Sequence, residues 1–345
     1  MNFEPWYLSE ATENNQILSS RIRLARNIEN YNFHKKLDED DAFAIIQEVE
    51  TVVRRTNRKR PNAPLILHDL TGLDQQLFLE RHIISPKFLM SKQPKKIFTD
   101  FNQNISLMIN EEDHVRIQCV YPGSDLSWAL STANKLDDLL ESHLNYSFDS
   151  KLGYLTACPT NVGTGLRASF MIHLPCLDKT DLIGKLQPFL IKNGLTLRGI
   201  YGEGTIPLGS IFQISNQTTL GKTERNIVDN LISCTNKIIA RENQIRDKIL
   251  TTRPHYLQDK AYRAYGVLSH CRRITANDAM SYLSDIRLGY LADILDIPKP
   301  EKPIYQLMIE IQPGHLTRHF DKYMNEQKTD IARADFLRTI FNKTH

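Results

Sequence analysis

Five arginines and two glutamates stand where their types and spacing could do chemistry. In "SSRIRLAR" (19–26), Arg21 and Arg23 are two apart, so in an extended segment both point to one side. Arg116 lies two strand steps beyond His114, just after the acids Glu111, Glu112 and Asp113. Arg167 ends "CPTNVGTGLR", a glycine-rich turn entering a strand, and Arg198 ends an apolar strand that leads into "GIYGEG" (199–204). Each arginine alone reads as a surface or ion-pair residue. Together they are unusual, because a charge at a strand position is costly to desolvate. A polyphosphate would account for all five, since its oxygens accept paired bonds from guanidinium forks. Glu112 and Glu203 each sit at a turn beside an arginine-bearing strand. Paired carboxylates of that kind suit a guanidinium ligand, whose plane they fix. Plainer readings remain open at this point: a solvated hairpin turn for the acids, an ordinary loop acid for Glu203, and a small buried apolar residue for Cys158.

The elements that must position these residues follow from periodicity. Ile105, Leu107 and Ile109, then Val115 and Ile117, alternate with other residues, which predicts two strands with the acids at the turn. Residues 152–159, 167–175 and 195–202 read as further strands bounded by Gly and Pro. Residues 38–55 read as an amphipathic helix with acids first and arginines last, the order that a helix dipole prefers. A long helix over 222–250 carries the stripe Ile227, Leu231, Cys234, Ile238, Ile245 and Ile249, expected to pack on the sheet. After "TTRPHY" (251–256) the chain reads as mostly helical, with Thr275 capping a helix over 275–291 and a last helix over 329–341. The expectation is an α+β body with an antiparallel-rich sheet (1–251) and a smaller all-α domain (252–345).

Composition excludes little and is consistent with this. The 345 residues carry a net charge of +3, too near neutral to indicate nucleic acid, and the basic run 54–61 reads as a solvated helix end. The first residues are acidic and lack the apolar run of a signal peptide, and no stretch nears the ~18 apolar residues of a membrane helix. Five cysteines without a C-x-x-C pair point to reduced thiols in a cytoplasmic setting. "LGKTE" (220–224) ends like a P-loop, but Asn216 stands where that motif needs its first glycine.

"CPTNVGTGLRAS" (158–169) resembles the signature of the phosphagen, or ATP:guanidino, kinases, and "SSRIR", "NEEDHVRI" and "RGIYGEG" resemble three further motifs of that family in the same order. The resemblance covers about residues 18 to 250 and implies an eight-stranded, mostly antiparallel sheet flanked by helices. It implies ATP and Mg2+ as cofactors, the magnesium held mainly by ATP. It places ATP at Ser19, Ser20, Arg21, Ile22 and Arg23, at His82 and Arg116, at Arg167, Ala168, Ser169, Phe170 and Met171, and at Arg198, Gly199, Ile200, Tyr201, Gly202 and Glu203. It assigns the grip on the guanidinium to Glu112 and Glu203, with Cys158 as a reactive cysteine beside them. Kinases of free guanidino compounds carry a helical domain before the "SSRIR" position. Here 18 residues precede Ser19 and a helical tail follows residue 252, an arrangement similar to the bacterial protein-arginine kinases (McsB type). That implies protein substrates with exposed arginines, a homodimer, and as partners an activator protein, a stress-gene repressor and an unfoldase–protease machine. A kinase for free arginine and an inactive phosphoarginine-binding relative are the alternatives. Near the C-terminus, "TDIARA" resembles an R-D-x-x-R-A motif for phosphoarginine, with Thr329 in place of the leading arginine. Asp330, Arg333 and Ala334 match it, and the expectation is a weakened or absent regulatory pocket.

Overall fold

The computed structural model describes residues 5–9, 15–59, 64–199 and 207–342. Its strands are β1 (Ile17–Arg26), β2 (Ile66–His68), β3 (Lys96–Thr99), β4 (Ile105–Ile109), β5 (Val115–Pro122), β6 (Phe148–Asp149), β7 (Gly153–Tyr154), β8 (Leu166–His173), β9 (Leu195–Gly199) and β10 (Ile211–Asn216). Eight of them form one sheet in the order β2-β3-β4-β5-β1-β8-β10-β9. Every neighbouring pair in it is antiparallel, so the α+β expectation holds. The predicted strand over 152–159 is reduced to Gly153–Tyr154, paired with Phe148–Asp149. Gly153 has φ +81, and a Cβ there would stand 2.5 Å from the carbonyl oxygen of Gly163, so this backbone turns where an extended strand would run straight.

Helices α1 (Glu39–Lys59), α2 (Gly72–Glu80), α3 (Pro86–Met90), α4 (Leu126–Glu141), α5 (Pro175–Lys179), α6 (Gln187–Lys192) and α7 (Glu224–Thr252) accompany the sheet. Then come α8 (Pro254–His270), α9 (Ala276–Leu291), α10 (Ile304–Glu310), α11 (Pro313–Phe320) and α12 (Glu326–Phe341). The hydroxyl of Thr275 accepts the Asp278 N–H at 3.1 Å, the cap that the sequence predicts for α9.

Strand alternation divides the sheet into two unlike faces. On one, Ile22, Leu24, Ile117, Cys119, Ala168, Phe170 and Ile214 join Ile45, Val49, Ala129, Ala133, Ile227, Leu231, Cys234 and Ile238 in a single apolar core. The α7 stripe is thus buried as its spacing requires. On the other face, Val120, Met171 and Ile211 share a second core with Trp6, Tyr7 and residues of α8 to α12, among them Leu283, Tyr305 and Leu337. The chain breaks its helix at Arg253, between α7 and α8, yet packing does not break there: the later helices cover one end of the sheet directly. Towards β3 and β4, Ile97 and Met108 of that second face pack with Phe78, Ile83, Ile84 and Phe88 in a third cluster, and the part between carries the arginines.

Candidate active site

A cavity of about 410 Å³ opens on the uncovered part of the second face. Arg21 and Arg23 of β1, Arg116 of β5, Arg167 of β8 and Arg198 of β9 all line it, with Lys87 and His82. Register explains the convergence. Arg23 lies directly opposite Arg167, Arg21 opposite Ser169, and Arg198 opposite Gln213, while Gln118 flanks Arg23 on the other side. Like charges directly opposite on neighbouring strands are destabilising. Arg21 Nη2 donates to Gln213 Oε1 at 2.7 Å and its Nε to Ser169 Oγ at 3.4 Å, both neutral groups. Arg23 Nε has no hydrogen-bond partner among the described residues. Burial lowers the Arg21 pKa to about 10, with Arg116 and Arg167 adding to the effect, and burial, then Arg21, Arg116 and Arg167, holds Arg23 well below its ordinary value. This is the signature of a surface shaped for an anion.

The acids stand at one end of the cavity, in the turn between β4 and β5. Their roles differ. Glu111 is buried, accepts Arg116 Nη1 at 2.5 Å and takes a short hydrogen bond from Ser85. Burial pushes its pKa up, but Arg116 and Ser85 outweigh burial and hold it below the ordinary value. Asp113 Oδ1 accepts Asn27 Nδ2 and Ala157 N, each at 2.7 Å, and so ties the turn to the segment before Cys158. Glu112 meets the exposed Lys87 at 2.8 Å, which leaves it the acid best placed to exchange partners. The sequence reading singled out Glu112 and missed Glu111, Lys87, Gln118 and Gln213. Glu111 adjoins Glu112, and only the fold tells which acid is spent on Arg116.

The glycine-rich loop sets Arg167. Gly165 has φ +64, and a Cβ there would stand 2.5 Å from Arg26 Nη1 and 2.6 Å from the Ala25 carbonyl, so β8 can begin flush against β1 only with glycine. Arg26 itself is buried in a pair with Asp137 at 2.5 Å. Cys158 is half-buried, within 3.1 Å of Thr160 Oγ1, and is not among the residues lining the cavity. At the far end, Trp6, Ser19, His82, Ser169 and Met171 line a small recess. Burial, then Arg21, pushes the His82 pKa down to about 3, so this imidazole is neutral.

Alternation corrects part of the expected nucleotide set. Ile22, Ala168 and Phe170 lie in the core on the opposite face, and Ser20 Oγ donates to the Gly123 carbonyl at 2.7 Å. Their side chains therefore shape the strands and do not reach the cavity. Gly199 sits in the β9 ladder opposite Phe212. Ile200, Tyr201, Gly202 and Glu203 lie outside the described residues. "LGKTE" leads into α7 with Thr223 as its cap and does not line the cavity.

The C-terminal candidates are buried and internally satisfied. Asp330 Oδ1 accepts Arg333 Nη1 at 2.7 Å, and Oδ2 accepts Arg273 Nε at 3.3 Å. Arg333, 2% exposed, also donates to the Ile311 and Ile274 carbonyls, each at 2.9 Å. Thr329 Oγ1 bonds the Asn325 carbonyl at 2.9 Å, and Ala334 is buried. Arg273, which the sequence reading did not single out, therefore places a second guanidinium on Asp330.

Comparison with known proteins agrees with this geometry. Residues 44–245 match the C-terminal catalytic domain of ATP:guanido phosphotransferases, and residues 254–345 match the C-terminal domain of the protein-arginine kinase McsB. A protein-arginine kinase of Geobacillus sp. (strain WCH70) is 42% identical over 338 residues, spanning 96% of this chain and 92% of its own. One of Halothermothrix orenii is 40% identical over 342 residues, 99% and 97% of the two chains. Among solved structures, lombricine kinase aligns with a TM-score of 0.59 at 22% identity, covering 71% of this chain and 72% of that one, a likeness of fold.

Proposed function

The chain belongs to the ATP:guanido phosphotransferase family and aligns over nearly its whole length with protein-arginine kinases; from that premise we propose that the cavity binds ATP along its arginine floor and a protein arginine at its acidic end. The chain is an ATP-dependent phosphotransferase acting on protein arginine, as its relatives of that name and the matching C-terminal domain support. The observation that carries the site is Arg23 directly opposite Arg167 in a cavity lined by five arginines. A polyphosphate spanning these forks would turn mutual repulsion into paired, charge-assisted bonds. The recess at His82 and Trp6 offers the base an aromatic and apolar wall.

Among the described residues no cluster of three His, Cys, Asp or Glu could hold a metal. A magnesium ion would come with the nucleotide, carried by its oxygens and water, and would neutralise phosphate charge. Phosphoryl transfer needs mainly positioning and charge neutralisation. Glu112 would fix the plane of the incoming guanidinium and draw off its proton as the N–P bond forms and the bond from the γ-phosphorus to the bridging oxygen breaks, ADP leaving with that electron pair, with Glu203 as the second acceptor. Lys87 would yield Glu112 to the substrate. The resemblance assigns Cys158 an electrostatic role beside the guanidinium, although it does not line the cavity.

The division at residue 252 belongs to the same proposal, supported by the two matched segments that meet near it. So do a cytoplasmic setting, a homodimer, and work with an activator protein, a stress-gene repressor and an unfoldase–protease machine. These rest on the resemblance of the motifs. No described helix is long and apolar enough to cross a membrane. The test is a kinase assay with ATP and either free arginine or an unfolded basic protein. Phosphate should appear on protein arginine, and Glu112→Gln should lower turnover about a hundredfold, the scale of one lost transition-state contact, with ATP binding intact. Near-normal turnover in Glu112→Gln would reject the assignment.

A further inference from the structure

The His82 recess is not built by the catalytic sheet alone. Three consecutive residues at the end of α2 face two ways. His82 lines the cavity, while Glu80 and Arg81 bind the start of α11. Buried Glu80 accepts Gly314 N through Oε1 at 2.7 Å, and through Oε2 it accepts His315 N at 3.1 Å and His315 Nδ1 at 2.8 Å. Arg81 Nε donates to the other ring nitrogen, Nε2, at 3.2 Å. An acceptor at Nε2 puts the proton of a neutral imidazole on Nδ1, where Glu80 receives it. One imidazole thus grips two successive residues with its two nitrogens. The fit is tight: a Cβ on Gly314 would stand 2.9 Å from Glu80 Oε2 and 3.0 Å from Oε1.

His82, next in the chain, has φ +58. A non-glycine residue keeps that left-handed conformation only where its surroundings over-determine it. Here Gln118 Nε2 donates to the His82 carbonyl at 2.9 Å, and Trp6 Nε1 to the Arg81 carbonyl at 3.3 Å. The Trp6 ring stands 6.3 Å from that of His82 and 5.5 Å from that of Tyr305 on α10. The Tyr305 hydroxyl in turn donates to Met171 Sδ, on the recess wall, at 2.8 Å.

We propose that Glu80, Gly314 and His315 form a latch through which the C-terminal helices hold His82 at the base end of the cavity, so that the helical region beyond residue 252 sets the affinity for nucleotide. This rests on reading the cavity as the ATP site. The latch residues touch no reacting atom and act by positioning. If releasing the latch leaves His82 in place in about one molecule in ten, apparent affinity falls about tenfold.

The experiment uses the full-length chain. In His315→Ala and Gly314→Ala, KM for ATP should rise about tenfold while kcat stays within about twofold. His315→Asn keeps a donor where Nδ1 stood and should recover most of the loss. Inorganic tripolyphosphate, which carries the phosphates without a base, should compete as well against the variants as against the parent. Should His315→Ala not fold, Gly314→Ala and Glu80→Gln carry the test. If ATP and tripolyphosphate weaken together, the effect is general loosening and the latch is overturned. An unchanged KM in the latch variants, with Arg167→Ala weakening tripolyphosphate, removes the latch alone. Tripolyphosphate indifferent to Arg167→Ala would remove the nucleotide reading and the latch with it.

Discussion

On the cavity floor Arg23 faces Arg167 across two strands and leaves Nε without a hydrogen bond among the described residues, whereas on α12 Arg333 is paired with Asp330 and donates to two carbonyls. Both regions keep guanidinium groups out of bulk water. On α12 the charge is met by a carboxylate, whereas on the floor Arg21 meets neutral groups and Arg23 Nε meets no acceptor among the described residues. Desolvating a cation is costly unless it is paired. Arg333 has met that condition within the fold. Arg23, set against Arg167 with its Nε unbonded among the described residues, has not met it to the same degree. In the degenerate "TDIARA" motif Asp330 is paired within the chain, with Arg273 as its second partner.

Removing one partner from each region should break or sharpen this contrast. The largest effect is expected at the satisfied pair. Asp330→Ala leaves Arg333 buried without a counter-charge and should cost about 3–5 kcal/mol of stability, read by urea unfolding. Added phosphoarginine should leave the activity of the parent protein unchanged. Wild-type stability in Asp330→Ala, or strong activation by phosphoarginine, would place Asp330 with the ligand-seeking groups.

On the cavity floor, where like charges face each other, the sign should reverse. Arg167→Ala removes a charge opposed to Arg23, so the ligand-free protein should melt no lower than the parent, or slightly higher. ATP affinity should fall by about 1.5–3 kcal/mol, the worth of hydrogen bonds to a charged group, as measured by calorimetry. A lower melting temperature with unchanged ATP affinity would make Arg167 structural like Arg333.

The smallest effect comes from pH. Burial, then Arg21, holds the folded-state pKa of His82 at about 3, against 6.5 when unfolded. The unfolded chain therefore binds the extra proton between those values. The stability that neutral His82 represents is full above about pH 6.5 and is lost as pH falls towards about 3. His173, whose pKa is lowered by burial and then by Arg287, acts in the same sense. Each such histidine steepens the acid loss by up to about 1.4 kcal/mol per pH unit. His82→Gln should flatten the slope between pH 6.5 and 4 by that amount at most. Parallel profiles for variant and parent would show that His82 is not held neutral beside the floor.

Local pattern carried much of the molecule. Alternation in 105–109 and 115–117 marked β4 and β5, and the stripe from Ile227 to Ile245 marked α7, because periodicity is a property of neighbours in the chain. The same parity put Arg21 and Arg23 on one side of β1 before any partner strand was known. The motif resemblance gathered the arginines of four separate segments and the acids between them. Three things were not legible. The expected strand at 152–159 failed because Gly153 meets the backbone of Gly163, ten residues away and across a turn. Nothing near Glu111 or Glu112 says which is consumed by Arg116 and Ser85. And Trp6, Glu80 and His315 lie far apart in sequence, yet Trp6 bonds Arg81 and Glu80 bonds His315, on either side of the chain that leads into His82. By itself, then, the sequence determined the strands, the long helices, the faces of individual arginines and the chemistry they suit. Tertiary structure alone decided register, which sets Arg23 against Arg167, and pairing, which spends Asp330 and Glu111 on internal partners. Both depend on contacts between distant segments, and a charged side chain's role is settled by whether such a contact neutralises it.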